Sequence, residues 1–427
     1  RSLLFLSVAT IPLCSAWILN TPVGLIAGAC IPSLRSGCLP SVARSASRVT
    51  GKGAIRFSGN LGGIIGGLTS VLRGGMKSAP NTNPDDPSAR SEDTAPSWGE
   101  LKSMLEDSQT EEERRFRSEL AAGRGNANAM ASIRLFGAPD GTEPRVLLYR
   151  DYAAWCPYCE KVWIMLEEKK IPYKVEKVNM RCYGDKPDWF MRISPGGGIP
   201  VAKIDGRVIS ESNDIMQALE DDFPSYRAML PAAGDPHGPR VAPLLRLERQ
   251  IFSAWFRWLV TPSREGDAMQ LGFESLLTQV DRELQQARDM AAAAGAGPGG
   301  FFLGSETSMV DCMYAPFLER MAASLPYYKG LVIRGNPRWP HVNAWFDAME
   351  SLPSFSGIQG DYYTHCHDLP PQIGNCFSHP SAQPYADAID GRGGAWTLPL
   401  TDGVEPAGKR PEDAARREAA ERIIANA

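Results

Sequence analysis

The pentapeptide Trp155-Cys156-Pro157-Tyr158-Cys159 constrains the fold more than any other stretch of the chain. It follows a short apolar run, Val146-Leu147-Leu148-Tyr149. It then opens a helical pattern in which Val162, Met165 and Leu166 recur at i, i+3 and i+4 above charged Glu160, Lys161 and Glu167. The expected order is strand, tight turn and helix, with C-x-x-C at the helix start. Pro157 fits the first helical turn, where its missing N–H costs nothing. Backbone amides and the positive end of the helix dipole favour a thiolate at the first cysteine. This arrangement points to redox or thiol-transfer chemistry.

Charge is unevenly spread along the 427 residues, a length that holds about two to three domains. No Asp or Glu precedes Asp85, whereas Arg1, Arg35, Arg44, Arg48, Lys52, Arg56, Arg73 and Lys77 make that stretch strongly basic. The net charge of the whole is −4, so the body from Asp85 onward is strongly acidic. An acidic body argues against a nucleic-acid partner. The acid-free segment reads as two targeting signals in series. Leu3 to Leu13 has the length of a signal-peptide core, Cys14-Ser15-Ala16 supplies small residues for cleavage, and a Ser-, Arg- and Gly-rich stretch follows Trp17. A signal followed by a transit peptide resembles the plastid presequences of algae with secondary plastids, so plastid import is expected; secretion, a disordered tail or a cytoplasmic protein are the alternatives. Pro12 interrupts the apolar run, and Leu61–Leu72 is too short and Gly-rich to span a bilayer, so no membrane association is expected of the mature form. Of nine cysteines, Cys14, Cys30 and Cys38 lie in this segment; the remaining six are too sparse for a disulfide scaffold and suit a reducing compartment.

Residues 78–97 form a Pro-, Asn- and Asp-rich linker, and Trp98 to Leu120 has helical periodicity with dense charge and no evident partner. From Pro144 the pattern predicts strand 146–150, helix 158–169, strand 173–179, helix 186–193, strands 201–205 and 207–210 joined by Asp205-Gly206, and helix 213–221. That is the order of a thioredoxin-like domain. Beyond Pro224 only helical spacing persists, over 241–260, 273–290, 310–323 and 339–350, with breaks at 291–300 and 325–337. Thr307 or Ser308 with Asp311 is a helix-capping arrangement. Residues from Ser354 on, with Pro370-Pro371, read as loop until a charged helix from Pro411 to Ala425.

A thioredoxin-like domain followed by a helical domain resembles the cytosolic-type glutathione transferase superfamily over residues 144–352. The implied fold class is an α/β thioredoxin-like N-terminal domain and an all-α glutathione-transferase C-terminal domain, with N- and C-terminal extensions. The implied layout assigns 1–84 to a bipartite presequence or disordered segment and 85–143 to a linker and charged helix. Residues 144–225 form the glutathione-binding domain, 236–352 the all-helical domain and 353–427 a C-terminal extension. Ile199-Pro200, ahead of the strand at 201, matches the family's cis-proline, which turns backbone groups toward the cysteinyl part of glutathione. Glu211-Ser212 resembles the acidic-Ser pair that binds the γ-glutamyl end, Glu211 for its ammonium, Ser212 and helix amides for its carboxylate. Lys186 matches the lysine that omega-type members place near the glycine carboxylate, and Tyr158 is a further glutathione-binding candidate.

Cys156 holds the position at which Tyr- and Ser-type members carry a hydroxyl. The resemblance is thus to the cysteine classes, which form a mixed disulfide with glutathione and favour thiol transfer, deglutathionylation and dehydroascorbate reduction. Cys159 departs from many of these and matches glutaredoxins and the iota class; Gly393–Leu400 and the terminal helix look like the C-terminal extension of iota-type proteins. The implied mechanism uses Cys156 as nucleophile and glutathione as co-substrate and resolving thiol, with Cys159 an optional partner and no metal. Small electrophilic or disulfide substrates are the expected partners, with a homodimer as the family's common assembly. The rival reading is a non-catalytic ligand-binding or redox-regulated module on the same fold. His365-Cys366-His367 with Cys376 lacks a metal-ligand spacing and reads as a tail loop. Phe252, Trp255, Phe256 and Trp258 form an aromatic run of which only part is expected to line a pocket. Gly196-Gly197-Gly198 precedes a proline and a strand, which is not the context of a phosphate loop.

Overall fold

The computed structural model describes residues 96–392, apart from Pro298, and 412–425. The expected presequence and the stretch Gly393–Leu400 lie outside the described residues. The chain divides into two compact units.

The smaller unit contributes two described helices, α1 (Trp98–Asp107) and a C-terminal helix (Glu412–Ala425), which pack on one another. The partner that the sequence left open for the first of them is therefore the terminal helix. Ser97 caps α1 reciprocally: Ser97 N–H donates to Glu100 Oε2 at 2.7 Å and Glu100 N–H to Ser97 Oγ at 3.3 Å. The helix expected over 98–120 is in fact two, because Thr110 makes a second capping box with Glu113 and starts α2 (Glu111–Ala121) afresh.

The larger unit begins with that helix and is built on a five-stranded sheet ordered β1-β3-β2-β4-β5. Its strands are β1 (Ile133–Arg134), β2 (Val146–Asp151), β3 (Tyr173–Val178), β4 (Val201–Ile204) and β5 (Arg207–Ile209). Parallel pairing of β2 with β3 requires a crossover, supplied by α3 (Pro157–Lys169). The β4–β5 hairpin turns on Asp205 (φ 49°) and Gly206 (φ 85°), the double positive φ of a tight hairpin turn. Alternation along β2 sends Val146 and Leu148 against Val162, Met165 and Leu166 of α3, while Tyr149 faces Phe190 of α4 (Asp188–Ile193). Helix α5 (Ser212–Asp221) packs beside α3. β1 is too short, at two residues, to carry a periodicity in the sequence. It is held by Arg134, which donates to both Glu167 oxygens at 2.8 and 2.9 Å.

The helical half comprises α6 (Gly238–Leu259), α7 (Ala268–Ala293), α8 (Met309–Lys329) and α9 (Pro340–Glu350). Almost all of α8 is buried, and it packs against α3 and α6. Burial on every side carries α8 through Pro326 to Gly330 (φ 73°), so the break expected from residue 325 begins five residues later. Ser308 caps α8 with Asp311, whose Oδ2 accepts Ser308 N–H at 2.9 Å and Oγ at 2.6 Å.

The expected tail loop is a correction. α10 (Pro353–Ser356), α11 (Tyr362–Ile373) and α12 (Gln383–Ile389) form, and α11 and α12 pack on α8. Pro370-Pro371 sits in the last turn of α11 rather than in a loop. Pro370 cannot donate to the Cys366 carbonyl, and the Tyr328 hydroxyl takes that acceptor instead at 2.7 Å.

Candidate active site

Strand β2 ends at Asp151, and the chain reverses through Ala154 (φ 63°) into Cys156, the N-cap of α3, with Pro157 at its first position. Two contacts fix this turn. Trp155 N–H donates to Asp151 Oδ2 at 2.6 Å, and the Trp155 carbonyl accepts from the Arg320 guanidinium at 2.8 Å. The Cys156 side chain is buried, its Sγ 3.9 Å from the carbonyl oxygen of Ile199, and the Ile199–Pro200 bond is cis. Both cysteines of the motif are free thiols. Cys159 lies deeper, 1% exposed, and burial together with the neighbouring Cys156 pushes its thiol well above the ordinary range.

The other expected residues surround this pair. Tyr158 meets Phe317 edge-on at 5.6 Å, and burial raises its hydroxyl while Arg249 pulls the other way. Lys186 is half-buried with Nζ hydrogen-bonded to the Asn179 carbonyl; burial lowers its ammonium and the two cysteines oppose that. Glu211 is the exposed N-cap of α5 and Ser212 the buried first residue of the same helix. Cys156, Cys159, Ile199, Pro200 and Lys186 thus converge at the α3 start, and Glu211 and Ser212 stand at the start of the neighbouring helix.

Three residues read from the sequence as the charged face of α3 are buried instead: Glu160 and Lys161 at 2%, Glu167 at 5%. The helical half covers Glu160, whereas Lys161 meets α5 and Glu167 meets β1 and β3. Each charge has its own partner, Glu160 with Arg320, Lys161 with Asn213 and Glu167 with Arg134. Lys161 Nζ donates to Asn213 Oδ1 at 2.5 Å. Burial and the nearby Arg249 push the Lys161 ammonium down to about 7, against the pull of Glu248, Cys156 and Glu211. Lys161 therefore joins the cysteine end of the site to the Glu211 end electrostatically. The signal available in the sequence was its position five residues after Cys156, on a helix that must also face a second domain.

The aromatic run on α6 divides. Trp255 and Trp258 are core residues, their indole N–H groups donating to Ser324 and Ser263 at 3.0 Å each. Phe252, also buried, meets Trp255 at 5.7 Å, Phe317 at 4.9 Å and the half-buried Phe256 at 6.2 Å, and the Arg249 guanidinium lies over the Phe252 and Phe317 rings at 4.6 and 4.8 Å. These rings pack next to Tyr158 through Phe317. His365, Cys366 and His367 point to separate partners: Glu319, the Ala323 carbonyl and Asp390. Among the described residues no His, Cys, Asp or Glu cluster has a metal-binding arrangement.

A thioredoxin-like sheet with a cysteine at the first helix start, a cis-proline facing it and an all-helical second half defines a cysteine-type glutathione transferase fold. Comparison with known proteins gives the same family. Residues 155–222 match the glutathione S-transferase N-terminal domain and residues 267–348 the C-terminal domain. Glutathione S-transferase DHAR2 of Arabidopsis thaliana is 32% identical over 174 residues, covering 41% of this chain and 70% of that protein. The chloroplastic DHAR3 of the same plant is 29% identical, covering 48% and 69%, and omega-1 of Sus scrofa 26% identical, covering 52% and 84%. The chain belongs to the glutathione S-transferase family, in its cysteine-type branch, a family of glutathione-dependent enzymes.

Proposed function

We propose that the protein is a glutathione-dependent thiol transferase and reductase that works through a mixed disulfide on Cys156. The observation that carries this is the position of Cys156 Sγ at the α3 N-terminus, 3.9 Å from the Ile199 carbonyl. The Cys156 thiolate attacks the glutathione sulfur of a glutathionylated substrate. A Cys156–glutathione disulfide forms, and the substrate leaves as a thiolate that takes a proton. A second glutathione, as thiolate, attacks the glutathione sulfur of that disulfide, which releases oxidised glutathione and restores Cys156. Dehydroascorbate-type reduction begins instead with attack of the Cys156 thiolate on an electrophilic carbonyl carbon. One glutathione thiolate then attacks the Cys156 sulfur, and the carbon–sulfur bond breaks with its electron pair left on the product, which takes up protons. A second glutathione thiolate releases oxidised glutathione from the mixed disulfide.

Glutathione is held in this scheme by Ile199 and Pro200 at its cysteinyl part, by Glu211 at its ammonium and by Ser212 with the α5 amides at its γ-glutamyl carboxylate. Lys186 takes the glycine carboxylate on leaving the Asn179 carbonyl, and Tyr158 closes the side facing α8. Cys159, kept as a thiol by burial, serves a side path: on losing its proton it attacks the Cys156 sulfur of the mixed disulfide, the Cys156–Cys159 disulfide forms and glutathione leaves as a thiolate. Import into a plastid through the basic presequence and assembly as a homodimer complete the proposal.

A glutathione-coupled assay with hydroxyethyl disulfide tests the reading. Turnover at catalytic protein concentration supports it. Binding of large apolar ligands with no turnover would favour a carrier on the same fold.

A further inference from the structure

Arg320 is one of the largest fully buried side chains of the protein, and it reaches from α8 in the helical half to the catalytic turn. One terminal nitrogen donates to the Trp155 carbonyl at 2.8 Å. The other is 2.8 Å from Glu160 Oε2, 2.9 Å from Glu319 Oε1 and 2.6 Å from the Pro316 carbonyl. Trp155 immediately precedes Cys156, and Glu160 lies one helical turn beyond it, its N–H donating to the Cys156 carbonyl at 3.0 Å. One planar group therefore grips the chain on both sides of the nucleophile.

The grip is braced from behind. His365 of α11 packs with Nε2 2.9 Å from Glu319 Oε1, a contact without hydrogen-bond geometry, and burial with the Arg320 charge pushes this imidazole down to about 3, so it is neutral. Three residues on, and so on the same face of α11, Asp368 accepts the Tyr183 hydroxyl at 2.5 Å. The Tyr183 ring in turn meets the Trp155 ring edge-on at 5.4 Å. Trp155 is held through its backbone by Arg320 and through its ring by Tyr183, and both chains of contact lead back to α11.

A buried ion cluster is a poor source of net stability, since desolvation of its charges offsets their attraction. What the guanidinium supplies here is geometry, because its rigid fork fixes two acceptors at once. We infer that Arg320 is a positioning residue for the thiol chemistry: it sets the turn that aims Cys156, so the helical half governs the alignment of a nucleophile carried by the other half. This rests on the role proposed for Cys156.

The test is Arg320→Lys, which keeps the charge but replaces the fork with a single ammonium unable to hold Trp155 and Glu160 in the same geometry. Three readings are taken: thiol-transfer kcat and glutathione KM, the alkylation rate of Cys156 by iodoacetamide, and the melting temperature. Alkylation needs no assumption about substrate, so it separates failure of this inference from failure of the functional reading. The expected result is a kcat lower by about tenfold or more and slower Cys156 alkylation, with glutathione KM nearly unchanged. Unchanged kcat and alkylation in a folded Arg320→Lys protein would overturn the inference. Arg320→Met combined with Glu160→Gln and Glu319→Gln removes the guanidinium without leaving either buried carboxyl beside it unpaired, and wild-type turnover in that protein would overturn it as well. Should neither variant fold, Arg320 holds the fold rather than the turn, and the positioning role is refuted.

Discussion

Cys156 Sγ lies 3.9 Å from the carbonyl oxygen of Ile199, which brings together two segments separated by 43 positions in the chain. One segment is a helix start, the other the approach to β4 through a cis-proline. In the proposed reaction, a substrate lying along the second segment is presented to the sulfur at the end of the first. The thiol and a ready backbone acceptor thus share one short gap, and the proposed chemistry takes place there.

Cys159 is the more deeply buried thiol, and burial holds it in the protonated form. Cys159→Ser is therefore expected to keep roughly half or more of the wild-type thiol-transfer rate, since glutathione rather than Cys159 resolves the mixed disulfide. The hydroxyethyl disulfide assay reads this directly. Loss of nearly all turnover would make the dithiol path obligatory.

Ser212 places a buried hydroxyl at the first position of α5. Ser212→Ala is expected to raise the glutathione KM about tenfold, the equivalent of about 1.5 kcal/mol for a hydrogen bond to a carboxylate, with a smaller change in kcat. Steady-state kinetics at varied glutathione separate the two constants. An unchanged KM would remove Ser212 from the binding site.

Burial raises Glu160 to about 8 and Glu319 to about 7. A carboxyl raised in this way contributes stability that is fully present below its unfolded value, about 4.3, and is lost as pH rises through the folded value. Lys161, lowered to about 7, acts with the opposite sign: the unfolded chain keeps a proton that the folded one has shed, so its contribution grows as pH rises above about 7. Comparison with a variant isolates the carboxyl. Glu160→Gln is expected to lose less melting temperature than wild type between about pH 6 and 9. Parallel melting curves across that range would show that Glu160 does not titrate there; Glu319 and Lys161, each at about 7, would then carry the pH dependence, since neutral His365 and charged Arg320 do not titrate in it.

Much of this site is legible in the sequence because its parts are local. C-P-Y-C marks a helix start, Asp205-Gly206 marks the hairpin, and Ile199-Pro200 and Glu211-Ser212 fall where one fold needs them. The charges on α3 were misread for a different reason. A Glu-Lys pair beside an apolar stripe ordinarily faces water, and the residue that makes Glu160 an interior group, Arg320, lies 160 positions away. Pro370-Pro371 misled in a similar way. A proline pair predicts a break unless another side chain takes the freed carbonyl, and only the tertiary structure reveals Tyr328 doing so.

The most direct test of the central claim is peptide mass spectrometry after incubation with oxidised glutathione, run beside turnover of Cys156→Ser. The account predicts a single glutathione adduct on Cys156 that reduced glutathione removes, and loss of activity by about a hundredfold or more in the variant. Full turnover by Cys156→Ser, or a wild-type adduct confined to other cysteines, would contradict it.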